Sequence, residues 1–201
     1  MGNTLFDRAR VQLENLKILS EELQLQMALG KAEARDMLEK ERKAISSYFS
    51  QQKKVLAKAN QDSKGSRRDF LSCVEDLEAS LHGEVPVDSA QYEKYKTNVL
   101  HNIYRLEEEV RQNYPLMNIA IQDSLDGFKA KMDAFRVNLA LHDIDDPERV
   151  KKIKLEFSDK LDEIRNLLAN RENQEVKVDN FIEDITTSFD HLRQAISELS
   201  K

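Results

Sequence analysis

Asp143-Ile144-Asp145-Asp146-Pro147 is the stretch whose reading decides how this chain folds. Asp146 offers the side-chain oxygen of a helix N-cap, and Pro147 falls at the first helical position, where its missing N–H costs nothing. One helix therefore ends at His142 and another begins at Pro147. So short a connection makes the two flanking helices antiparallel neighbours.

On the C-terminal side the apolar residues Phe157, Leu161, Ile164 and Leu168 are followed by Val178, Ile182, Ile185, Phe189, Leu192, Ile196 and Leu199. Steps of four and three residues are the period of a coiled-coil-like seam. Arg171 and Glu175 interrupt it, which predicts a bent or frayed stretch over 171–179 within a segment 147–200. On the N-terminal side the same spacing runs through Tyr92, Val99, Ile103, Leu106 and Val110. After Pro115 it resumes with Met117, Ile121, Leu125, Phe128, Met132, Phe135 and Leu139. Pro115 either kinks one helix or separates two, 89–114 and 115–142.

Further upstream, Asp88 with Gln91 forms a capping box, and Glu84 to Val87, containing Pro86, reads as a loop. Ser66 with Asp69 opens a short helix, 66–82, closed by His82-Gly83, where glycine suits a left-handed cap. Before the turn cluster Gln61-Asp62-Ser63-Lys64-Gly65 there is no proline, so the spacing predicts one helix over 4–62, capped by Asn3 or Thr4.

Composition agrees with an all-α chain. Gly (5) and Pro (3) are scarce among 201 residues, charged residues make up 34% and the apolar set 40%, with no Trp. Such a mixture suits amphipathic helices with thin apolar seams. No apolar run approaches the roughly 18 residues of a membrane span, and the charged start MGNTLFDRAR is no secretory signal. Phe6 stands where a myristoylation signal wants Ser or Thr. A single cysteine, Cys73, excludes an internal disulfide framework and fits a reducing, cytoplasmic setting. At about 1.5 Å per residue, the segment 4–62 would span roughly 87 Å and the segments 89–142 and 147–200 about 81 Å each. A compact domain of this length has a radius of gyration of only about 16–17 Å. The expected architecture is therefore a single elongated antiparallel helical bundle over 1–201, a coiled-coil-like rod of three long segments, one or more of them kinked, plus one short helix.

Two faces of the first helix are apolar. Leu13, Leu16, Leu19, Leu23 and Met27 share one; Val11, Ile18, Leu25 and Leu29 lie roughly opposite. Each buried side chain of this kind is worth about 1.5–3 kcal/mol, so the second stripe needs a cover. Either the helix is central among its own neighbours, or the stripe meets a second copy of the chain in a homodimer. An unbroken first helix would hold the short helix too far from the stripe to cover it, which favours the dimer.

Charge is uneven. Residues 1–68 carry a net +5 and residues 69–201 a net −11, within a total of −6. The excess gathers in 53–68, where Lys53, Lys54, Lys58, Lys64, Arg67 and Arg68 face only Asp62 in the sequence. A positive helix end of this kind suits anions or an anionic membrane surface; a solvated helix end whose cations complement the dipole is the plainer reading. With no aromatic between Val55 and Asp69, nucleic acid is not expected.

Catalytic chemistry finds little support. The glycines are scattered singly, and none of His82, His101, His142 and His191 has a Glu three residues before it. Cys73 adjoins the seam Phe70, Val74, Leu77 and Leu81 as a small core residue. His101 and Tyr104 read as boundary residues, and Glu107 to Glu109 as a solvated acidic face. The expectation is a non-enzymatic scaffold or interaction protein, without cofactor or metal, self-associating through the first long helix. Three long helices, a proline kink and a basic tip also give the chain a likeness in architecture alone to crescent-shaped BAR modules. That resemblance implies a membrane-surface binding role for residues 53–68, against which the net charge of −6 argues.

Overall fold

A computed structural model describes residues 3–58 and 64–169. Among these residues the chain is all-helical, with six α-helices and no strand: α1 (Asn3–Ala28), α2 (Lys31–Lys58), α3 (Lys64–Ser80), α4 (Ser89–Asn113), α5 (Pro115–His142) and α6 (Pro147–Ala169). The bend expected over 171–179 and the seam beyond residue 169 lie outside the described residues.

The caps at Asp88, Asp146 and Gly83 fall where the sequence places them, but the short helix expected over 66–82 runs from Lys64 to Ser80, so Ser66 lies inside it and does not cap it. Asp88 accepts a hydrogen bond from the Gln91 N–H at 2.9 Å and opens α4. Asp146 accepts from the N–H groups of Glu148 and Arg149 at 3.0 and 3.2 Å, and Pro147 is the first residue of α6. Gly83, just past α3, has φ +89°, the left-handed conformation a side chain resists. Pro115 separates two helices rather than bending one, since α4 stops at Asn113 and α5 starts at the proline.

The helix expected over 4–62 is interrupted. α1 ends at Ala28 and α2 begins at Lys31. The reason is a set of partners for the carbonyls at the end of α1. Asn138 of α5, 1% exposed, donates its amide to Gln26 O at 2.7 Å and to Leu29 O at 3.0 Å. Lys154 of α6 donates to Met27 O at 2.6 Å, and the His142 Nε2 lies 3.3 Å from Leu29 O. The Lys154 ammonium brings positive charge to a helix C-terminus, where charge and dipole agree. The interruption replaces one helix of about 87 Å with two of about 39 and 42 Å, so the length argument for a rod loses its longest member.

The chain divides into two compact units, Met1–Lys31 with Asp133–Lys201, and Ala32–Met132. In the second unit α3 and α4 run antiparallel. Phe70 stacks at 5.1 Å on Tyr114 at one end, and Asp76 bonds Asn102 and Arg105 nearer the connection. α2 runs antiparallel to α3, since Arg42 reaches Leu81 O while Ser50 and Lys53 reach Glu78. The core is formed by Phe49, Phe70, Leu77, Tyr92, Ile103, Leu106 and Leu125, each fully buried. The Tyr92 hydroxyl is satisfied by Met132 O at 2.8 Å. In the first unit Leu19, Leu23 and Met27 of α1 are buried, as are Phe157 and Leu161 of α6. Residues 134–141 of α5 are buried on every face.

Candidate functional site

Of the three described members of the stripe, Ile18, Leu25 and Leu29, one is open to solvent. Leu25 is 42% exposed, while Ile18 and Leu29 are half-buried. The backbone of Leu29 is engaged by Asn138 and His142 within its own unit. The Val11 side chain lies outside the described residues. Lys17, Glu21, Gln24 and Ala28, all exposed, surround Leu25 on the outward side of α1.

The basic stretch is already partly neutralised. Lys53 donates to Glu78 at 2.5 Å, and Ser50 donates to the other oxygen of that carboxylate at 2.8 Å. Antiparallel packing of α2 on α3 supplies this acid from 25 residues away, which a local charge count does not see. Lys54 and Arg68 are exposed and Arg67 is half-buried. The side chains of Lys58 and Lys64 lie outside the described residues.

Interior titratable groups are committed to structure. Cys73 is buried, and burial pushes its thiol pKa up, which keeps it from the reactive thiolate form. The acidic run 107–109 is more than a solvated face. Glu107 accepts from Lys129 at 2.7 Å and from Gln122 at 2.9 Å, tying α4 to α5. Burial works against the Lys129 charge, but hydrogen bonds to Asp126 and Glu107 outweigh it and hold its pKa above the usual value. The same ammonium lies 5.6 Å from the centre of the Tyr104 ring, a cation–π contact at a residue 54% exposed. His101 is exposed. Among the described residues no group of three or more His, Cys, Asp or Glu is placed to hold a metal ion, and no helix is long and apolar enough to cross a membrane.

A groove of about 320 Å³ lies between α2 and α5 in the second unit. This is the lower end of the roughly 300–1,000 Å³ usual for ligand pockets. α2 contributes Glu41, Ile45 and Tyr48; α5 contributes Asp123, Gly127 and Phe128. Lys131, at one end, pairs with Glu41 at 2.9 Å. Asp123 is exposed and makes no ion pair or hydrogen bond among the described residues. Gly127 sits well inside α5, where glycine costs about 1 kcal/mol relative to alanine. Yet a Cβ built there meets nothing within 4 Å. Packing inside the chain therefore does not require the glycine. The seam spacing singled out Ile121, Leu125 and Phe128 but passed over Gly127. An isolated glycine in a helical pattern was the available signal.

No protein-family model, curated protein or solved structure matches the chain.

Proposed function

We propose that the chain is a non-enzymatic helical scaffold, its helices packed as antiparallel bundles, which binds protein partners and self-associates through the outward side of α1. Leu25 carries this reading. It is a large apolar side chain, 42% exposed, seven residues from the half-buried Ile18 and four from the half-buried Leu29. A contact along this face would remove apolar surface from water on both copies of a two-fold dimer.

Size exclusion coupled to light scattering tests it. The wild type is expected at twice the chain mass of 23.3 kDa. Leu25→Glu, at a position open enough to accept the charge, should raise the dimer dissociation constant at least roughly tenfold without changing the circular dichroism. A wild type that is monomeric at high micromolar concentration overturns the reading, as does a Leu25→Glu variant that dimerises unchanged.

The membrane-surface reading has exposed Lys54 and Arg68 in its favour. The pairing of Lys53 with Glu78 and the net charge of −6 weigh against it. Salt-dependent sedimentation with phosphatidylserine vesicles separates the two, because binding by an exposed basic patch falls steeply with ionic strength.

A further inference from the structure

We propose that the groove between α2 and α5 receives a basic side chain, lysine or arginine, presented by a partner protein. The proposal names the partner chemistry for the interaction protein inferred above and rests on that reading.

Gly127 is the first ground. It weakens α5 while answering no steric need within the chain, since the space beside it is open. Gly127 lines the groove together with Ile45, Tyr48 and Phe128, and a side chain there would take up space that the groove now leaves open. A helical glycine that the packing does not demand leaves the backbone open to close approach from outside the chain.

Charge is the second ground. Glu41 is neutralised by Lys131, whereas Asp123 on the same groove has no partner among the described residues. The wall is therefore net negative, and an acidic occupant is repelled. A purely aliphatic occupant would cover Ile45 and Phe128 but leave Asp123 unused.

Size is the third. About 320 Å³ is too little for a second helix and enough for one long side chain. Lysine and arginine have the matching shape, with an apolar stem to lie along Ile45 and Phe128 and a charged head for Asp123. Tyr48, half-buried, lines the same groove and supplies an aromatic ring of the kind that attracts a cation.

The test is an amide chemical-shift titration of the full chain with N-acetyl-arginine amide and N-acetyl-lysine amide, and with N-acetyl-norleucine amide as the uncharged isostere. The cationic probes should move the Ser124 and Gly127 resonances saturably at around millimolar concentration, the range for so small a ligand. The norleucine probe should bind at least roughly fivefold more weakly, and Asp123→Asn should weaken the cationic probes by a similar factor, the size of one exposed ion pair. Gly127→Leu should abolish the shifts while holding or raising the melting temperature. Asp123→Asn, at an exposed position, keeps the test decisive should Gly127→Leu disturb the fold. The proposal is overturned by equal binding of the norleucine probe, by the absence of any saturable shift, or by an Asp123→Asn variant that binds as the wild type does. It is also overturned if the same resonances move when the protein alone is diluted, since the occupant would then be a second copy. Light scattering on Leu25→Glu reads mass and this titration reads Gly127, so each reading can fail without the other.

Discussion

Glu39 shows how one side chain can hold a loop. One of its oxygens accepts the Val85 N–H, and the other is held by Arg42 at 2.7 Å, which also donates to Leu81 O. The segment that leads from α3 to α4 is thus fastened to α2 at Leu81 and Val85, and again where Arg35 pairs with Glu84. Burial raises the Glu39 pKa, but the Val85 N–H and the Arg42 guanidinium more than offset it, and the net shift is downward from 4.5. A carboxylate whose folded pKa is depressed contributes stability that is fully present above its unfolded value and is lost as pH falls through the folded one. Glu39→Gln should therefore cost about 1–2 kcal/mol at neutral pH, as expected for hydrogen bonds to a charged group. Denaturant titrations of both proteins should draw together as pH falls from the unfolded value of about 4.3 through the lower folded one. A gap that stays constant down to pH 3 would show that the charge is not what holds the loop. Nearby, Tyr95 has a buried hydroxyl with no partner, and burial pushes its pKa up to about 12. It remains protonated at neutral pH.

At the scale of helices, the chain was legible where a stop is made from neighbouring residues and illegible where it is made from distant ones. Asp88 and Asp146 cap helices through N–H groups two or three residues away, and Pro115 parts two helices by its own chemistry. The apolar spacing likewise found Tyr92, Val99, Ile103, Leu106, Val110, Ile121, Leu125 and Met132, all buried. The end of α1 is different. Met27-Ala28-Leu29 continues a helical pattern, and Lys31-Ala32-Glu33-Ala34-Arg35 is strongly helix-forming, so only Gly30 speaks for a break. What sustains the break is Asn138, more than a hundred residues away, with Lys154 and His142. The Lys53–Glu78 pair and the walls of the groove escaped because each is made between different helices, 25 residues apart in the first case and about 80 in the second. Asn138→Ala removes two donors from buried carbonyls, so about 2 kcal/mol should be lost. The same substitution at Asn113, an exposed residue one turn from Glu109, should change stability by less than about 0.5 kcal/mol. Comparable losses at the two sites would mean that Asn138 is not the cap that ends α1.

For the whole molecule, what matters is how the two units are cut from one chain. The Ala32–Met132 unit is continuous, whereas the other is assembled from Met1–Lys31 and the stretch after Asp133. Bringing α1 to α6 means closing a loop of about 120 residues, and the entropy of closure rises with the length of chain still flexible between them. Once the continuous unit has folded, most of that chain is no longer free, and the remaining cost is smaller. The continuous unit needs no such help. Its helices follow one another through short connections, and the ion pairs Arg35 with Glu84, Lys53 with Glu78, Arg105 with Asp76 and Lys129 with Glu107 close within it. A fragment spanning residues 32–132 should therefore fold alone, with helical circular dichroism and a cooperative urea transition. In the full chain, Leu77→Ala, in the core of the continuous unit, should cost about 2–5 kcal/mol. It should speed native-state amide exchange in both units. Asn138→Ala should speed exchange on α1 and α6 and leave the slowest amides of α3 and α4 unchanged. Either an unfolded 32–132 fragment or α1 amides that outlast those of α3 would reverse the order of dependence and make the discontinuous unit the one that folds first.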